Sequence, residues 1–293
     1  MVQKGRFEMK WRTGRRSRNI EDRRSVRIPK KAAGGGIGII VIALIAMYFG
    51  VDPTVFLSQQ GPVSSIGTQT STRQISPVEN QLAEFVSVVL ADTEDTWHVL
   101  FNKMGKNYRE PNLVLFSGAV ESACGYAQAA MGPFYCPADQ KVYIDLSFYR
   151  DLKNRHQAPG DFAQAYVIAH EIGHHVQTLL GISEKIHSAR SRVSQVEGNK
   201  LSVMQELQAD CFAGVWAHHA NRTRQILEEG DVEEALNAAS AIGDDRLQQR
   251  GRGYVTPDSF THGSSRQRVR WFRQGLKTGD VGQCNTFKAD LRG

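Results

Sequence analysis

The pattern of apolar and polar positions changes period several times along the chain. Residues 32–51 form a run of twenty without a charged side chain. As a helix rising about 1.5 Å per residue, such a run spans a hydrocarbon core of roughly 30 Å. It predicts one transmembrane helix within 32–57, with Tyr48 and Phe49 at the far interface. Residues 58–76 are mostly Ser, Thr, Gln and Gly, the composition of a flexible linker. Helical spacing follows. Ser76-Pro77-Val78-Glu79 reads as a capped helix start, and Leu82, Phe85, Val86, Val89 and Leu90 form its buried stripe, continued by Trp97, Leu100 and Phe101. Leu113–Phe116 and Val142–Leu146 predict strands, the second as the edge of a cleft, and Ser147–Leu152 a short helical link. From Ala165 to Leu180 the chain is apolar nearly all round, which predicts a buried helix, stopped by Gly181. Ser183 could cap the next helix, through about Val196. Further helices are expected over about 199–219 and 231–249, and a last one through Arg268 and Leu276. The expected class is α+β, mainly helical with a small antiparallel sheet.

Charge sharpens this division. The chain carries a formal +6, but residues 1–31 hold twelve Lys/Arg and three Asp/Glu; subtracting their surplus of nine leaves −3 for the rest. A basic stretch beside an apolar span stays in the cytoplasm. The expected layout is therefore a basic cytoplasmic leader (1–31), an anchor (32–57), a linker (58–76) and an outward-facing domain (77–293). A cleaved signal peptide and a buried core helix are the competing readings of the apolar run. Arg15-Arg16-Ser17-Arg18 and Arg23-Arg24 orient a span or touch anionic lipid. No nucleic-acid module accompanies them, so no nucleic-acid partner is expected. Four cysteines without a Cys-x-x-Cys fit an oxidising compartment. Cys124 and Cys136 bracket a loop easily closed by a disulfide, which leaves Cys211 for Cys284, although four cysteines allow three pairings.

The candidate chemistry lies in the buried helix, at His170-Glu171-Ile172-Gly173-His174. Histidines four apart share one helix face and can bind one small cation, usually zinc. Glu171 is placed to take a proton from a metal-activated water, the metallopeptidase pattern. The competing reading, an amphipathic helix with exposed histidines, conflicts with the apolar flanks. Catalytic zinc usually has three protein ligands. A Gly-then-His extension would need glycine at 177 and histidine at 180, where Gln177 and Leu180 stand. His187, His218 and His219 sit in no recognisable frame. Glu206 is the candidate third ligand, with Asp210 one turn on to accept the free N–H of a ligating histidine. His262 and Tyr254 are candidates to stabilise an oxyanion.

These motifs together resemble the bacterial putative neutral zinc metallopeptidase family, single-pass membrane proteins. The residues that carry the resemblance are Trp11-Arg12 to Arg23-Arg24, the apolar span, Gly132-Pro133-Phe134-Tyr135-Cys136-Pro137, His170 to His175, Glu206 to Cys211, and Thr261-His262-Gly263-Ser264-Ser265. The resemblance implies a zincin-like domain with one catalytic zinc, and a peptide or protein substrate. It also implies a place in the bacterial inner membrane, with the N-terminus cytoplasmic and the domain periplasmic. The Glu-x-x-x-Asp element resembles that of glutamate-ligand zinc peptidases, with Glu206 as ligand and Asp210 behind it. Thr261-His262-Gly263 is similar to the Thr-His-Pro of membrane-bound zinc peptidases, with glycine for proline. The alternatives are a membrane-anchored scaffold with structural zinc, closed by a fourth protein ligand, and a regulator of another envelope protease.

Overall fold

Helix α1 (Pro77–Lys103) starts at a reciprocal cap. The Ser76 hydroxyl accepts from the Glu79 N–H, and the Glu79 carboxylate accepts from the Ser76 N–H. The stripe of Phe85, Val86, Val89, Leu90, Trp97 and Phe101 is buried as its spacing predicts. The computed structural model describes residues 9–26 and 74–288. The span expected within 32–57, and the expected linker up to residue 73, lie outside the described residues. Among the described residues no helix is long and apolar enough to cross a membrane.

The sheet differs from the antiparallel one expected. Its strands are β1 (Ile20–Asp22), β2 (Asn112–Phe116), β5 (Phe134–Cys136) and β6 (Lys141–Asp145); β3 (Ala119–Ser122) and β4 (Gly125–Gln128) form a separate antiparallel hairpin. The order is β1-β2-β6-β5, parallel from β1 to β6 and antiparallel only between β6 and β5. β6 is thus interior; the edges are β1 and β5, and β5 is the edge that lines the cleft. Three residues are too few to print a periodic pattern, which is why β5 is hidden in the sequence. Side chains alternate across the sheet: Leu113, Leu115, Val142 and Ile144 join the large core under the helices, while Val114, Phe116 and Tyr143 pack beneath the β3–β4 hairpin.

The leader also departs from expectation. Residues 9–26 do not stand apart from the domain. β1 pairs with β2 from Ile20↔Leu113 to Asp22↔Leu115, Met9 and Trp11 are buried in the core, and Trp11 meets Phe85 edge-on. Arg15 bonds Glu94 and Asp95 at 2.8 Å, and the Ser17 hydroxyl donates to Glu94. Arg24 is almost wholly buried between Asp22, Asn80 and the Glu79 carbonyl.

The remaining helices are α2 (Ser147–Asn154), α3 (Asp161–Leu179), α4 (Ile182–Arg190), α5 (Gln195–Arg224), α6 (Asp231–Ala241), α7 (Asp244–Arg252) and α8 (Ser265–Thr278). Gly181 ends α3 in the left-handed region at φ +71° and leads directly into α4. Ser194, rather than Ser183, is the next capping serine, bonded reciprocally with Glu197. The single helix expected over 231–249 is two helices. The chain breaks at Gly243, where a β-carbon would lie 2.4 Å from the Ser265 nitrogen. The central helices touch backbone to backbone. A β-carbon on Gly173 of α3 would lie 2.9 Å from the Ala209 carbonyl oxygen of α5, and one on Gly275 of α8 would lie 1.9 Å from that of Cys211. Both expected disulfides are present. Cys124–Cys136 ties the β3–β4 turn to the edge strand, and Cys211–Cys284 ties α5 to the C-terminal segment.

Candidate metal centre

Helix geometry places His170 and His174 one turn apart on α3, and Glu206 and Asp210 one turn apart on α5. The close crossing at Gly173 and Ala209 sets Glu206 between the two imidazoles. Its carboxylate oxygens lie 3.2 Å from His170 Nε2 and 3.3 Å from His174 Nε2. One donor atom from each residue falls within 4.8 Å of the others. Zinc bonds of about 2.0–2.2 Å in a tetrahedron require donors roughly 3.3–3.6 Å apart. Both histidine–glutamate separations are near this range and all three atoms lie within 4.8 Å, so the donor set fits a zinc ion. Among the described residues no fourth His, Cys, Asp or Glu joins this group.

A second layer fixes both rings. His170 Nδ1–H donates to Asp210 at 2.9 Å, which turns Nε2 toward Glu206. His174 Nδ1 lies 2.9 Å from Gln177 Oε1. The Gln177 amide NH₂ donates to the Gln205 carbonyl and to Gln208 Oε1. Its Oε1 is then the acceptor, and His174 Nδ1 must carry the proton. Behind Asp210 stands Arg268, whose Nε and Nη2 each donate to the carboxylate at 2.9 Å. The Tyr166 hydroxyl donates to the same carboxylate. Asp210 and Arg268 are 0% and 2% exposed, so this ion pair is shielded from water.

Charge follows geometry. Burial pushes the His170 pKa down, but Asp210 and Glu206 outweigh it and hold the imidazole up at about 9. His174 is likewise raised, with burial opposed by Glu206. Burial pushes Glu206 up, and the neighbouring histidines more than reverse this, leaving it well below the usual carboxylate range. Asp210 is lowered too, with burial outweighed by Arg268 and His170. The pocket thus gathers positive charge around Glu206, and a metal dication would take the place of those protons.

The site opens into a cleft of about 520 Å³. Glu171 and His262 line it, as do Phe134 and Tyr135 of the edge strand. His262 is set by the turn before α8. Asp244 Oδ2 accepts the N–H groups of Thr261, His262 and Gly263 at 2.6–3.0 Å. His262 Nδ1 lies 3.5 Å from Asp244 Oδ1 and 3.3 Å from Thr261 Oγ1. Gly263 has φ +85° and donates its N–H, neither of which proline can do; this accounts for glycine here. Tyr254 is 60% exposed and outside the cleft, which removes it as a candidate. His187 lines the cleft wall without joining the donors. His218 and His219 bond the Leu276 and Gly279 carbonyls.

Tyr166, Gln177, Asp244 and Arg268 were not singled out from sequence. Gln177 carries a signal, lying three residues after His174 and thus on its face of the helix. Arg268 carries none, since nothing local marks it as buried.

Asp161, Asp231 and Glu234 also bring oxygens within 4.8 Å of one another, away from the cleft. Burial, reinforced by Asp161, raises Asp231 to about 6 and Glu234 to about 7.

In this mainly helical α+β domain, two histidines and a glutamate converge beside a cleft, a donor set suited to zinc. The chain belongs to the family described as "Putative neutral zinc metallopeptidase", whose pattern matches residues 9–287. It is 54% identical over 290 residues to "Uncharacterized protein YpfJ" of Escherichia coli (strain K12), covering 95% of this chain and 99% of that one. It is 39% identical over 256 residues to "Uncharacterized protein Rv2575" of Mycobacterium tuberculosis (strain ATCC 25618 / H37Rv), covering 83% and 85%. No solved structure matches the chain.

Proposed function

We propose that the protein is a zinc metallopeptidase that hydrolyses peptide bonds outside the cytoplasm, held at a bacterial membrane by the apolar segment within 32–57. The observation that carries the reading is the convergence of His170, His174 and Glu206 beside Glu171 at the base of an open cleft. When bound, zinc supplies the Lewis acidity that makes water nucleophilic near neutral pH. The residues do the rest. His170, His174 and Glu206 hold the ion. Asp210 and Gln177 hold the two rings with Nδ1 protonated and Nε2 facing inward. Glu171 accepts the proton of the attacking water and delivers it to the leaving amine. His262, braced by Asp244, donates to the oxyanion that develops on the scissile carbonyl. The free edge of β5 offers backbone groups to an extended substrate.

Two disulfides favour an oxidising compartment. The scaffold reading needs a closed site, and among the described residues no fourth ligand is present to close it. The test is zinc content together with cleavage of casein and a peptide library by the full chain, beside Glu171→Gln. Retained zinc with cleavage lost in the variant supports the peptidase. Zinc bound with equal cleavage in both proteins refutes the role of Glu171, and absence of bound zinc refutes the reading as a whole.

A further inference from the structure

The basic leader has two incompatible readings. Its surplus of positive charge reads as a signal that keeps residues 1–31 in the cytoplasm while the domain is exported. In the fold, five of those charges, among the described residues, have carboxylate partners. Lys10 pairs with Glu228, Arg15 with Glu94 and Asp95, and Arg16 with Glu84, all on the domain. Arg23 and Arg24 pair with Glu21 and Asp22, and Glu21 also receives Lys141 of β6. Between these pairs lies a three-residue parallel ladder to β2, with Trp11 and Met9 in the core. Glu94 shows how far the two parts depend on each other. It is 1% exposed, and its carboxylate accepts from Arg15, Ser17 and Asn19 of the leader. Without the leader Glu94 would lose all three of these donors. β2 would also lose its outer partner.

We infer that residues 9–26 and the domain from residue 74 onward occupy the same side of the membrane, with the leader a structural part of the domain. A membrane crossing changes sides, so two flanks on one side require an even number of crossings. Residues 27–73 contain one run long enough to cross, the twenty residues 32–51. One crossing is odd. With the leader docked, a simple single pass between cytoplasmic leader and exported domain is therefore excluded. The inference does not depend on peptidase chemistry.

Arg18 and Arg266 are both exposed, one in the leader and one on α8. Arg18→Cys and Arg266→Cys are made separately in the full chain, whose four native cysteines are paired. Intact spheroplasts and lysed cells are treated with a membrane-impermeant maleimide. Thr13→Cys, also exposed, replaces the first variant if that one fails to accumulate. The expected result is that leader and domain positions label alike, both in intact spheroplasts. Labelling of both only after lysis upholds a shared side but refutes the extracytoplasmic placement proposed above. Labelling of the domain position in intact spheroplasts, with the leader position reactive only after lysis, overturns the inference.

Discussion

Arg268 offers the sharpest test of how the centre is built. Arg268→Ala removes both donors to Asp210, a carboxylate with no exposure to solvent. Removing one partner of a buried ion pair costs about 3–5 kcal/mol, because the remaining charge is left uncompensated. His170 and Tyr166 still face Asp210, which favours the lower end of that range. Asp210 would also lose the main influence holding its pKa down and grip the His170 N–H less firmly. Loss of such outer support typically weakens metal affinity about 10–100-fold. Arg268→Lys keeps the charge but not the two-pronged contact, and falls between. Urea unfolding of the metal-free proteins gives the stability term, and zinc competition with a chromophoric chelator gives the affinity term. If Arg268→Ala unfolds at the wild-type urea concentration and binds zinc as tightly, Arg268 does not set the state of Asp210. If stability falls but zinc affinity is unchanged, the arginine supports the fold alone.

Other predictions rest on separate features. His262→Ala lowers kcat by about 10²–10³, the usual cost of losing one oxyanion donor, with zinc content unchanged; unchanged kcat removes His262 from the mechanism. Replacing Cys211 and Cys284 by serine frees a loop closed across 73 residues, a loss of about 4 kcal/mol in a chain-entropy account, read as a lower urea midpoint. Asp231 and Glu234 have folded pKa values of about 6 and about 7, above their unfolded values near 4. Between those limits the folded state binds more protons than the unfolded one, so stability falls as pH rises from about 4 to 7. Glu234→Gln should flatten that fall and stabilise the protein at pH 8; an unchanged pH–stability curve would show that Glu234 is not strained.

The candidate donors His170, His174 and Glu206, with Asp210, were legible because each helix carries its pair four residues apart, and α3 and α5 could be read from their spacing. The capping box at Ser76 and the break at Gly181 are local signals and were legible too. What remained hidden was set at a distance. The three residues of β5 become a strand only by pairing with β6. Gln195–Arg224 starts earlier than its apolar pattern suggests because Ser194 and Glu197 cap a polar first turn. Arg268 reads as a surface arginine until α8 crosses α5. The packing of the leader was hidden for the same reason: Lys10, Arg15 and Arg16 meet carboxylates far along the chain.

The helix crossings at Gly173 and Gly275 give the centre its tolerance limits. The donors come from separate helices, so the distance from imidazole to carboxylate is inherited from the spacing of two rods, and that spacing is set where a side chain is missing. Adding one methyl group at 173 would wedge α3 from α5 and draw Glu206 away from both rings together. The same addition at 275 would withdraw Arg268 from Asp210. Neither glycine supplies a donor atom, yet each acts as a gauge block for the assembly. A mutational scan scored on zinc retention should therefore rank these two positions with the ligands, ahead of most residues that line the cleft.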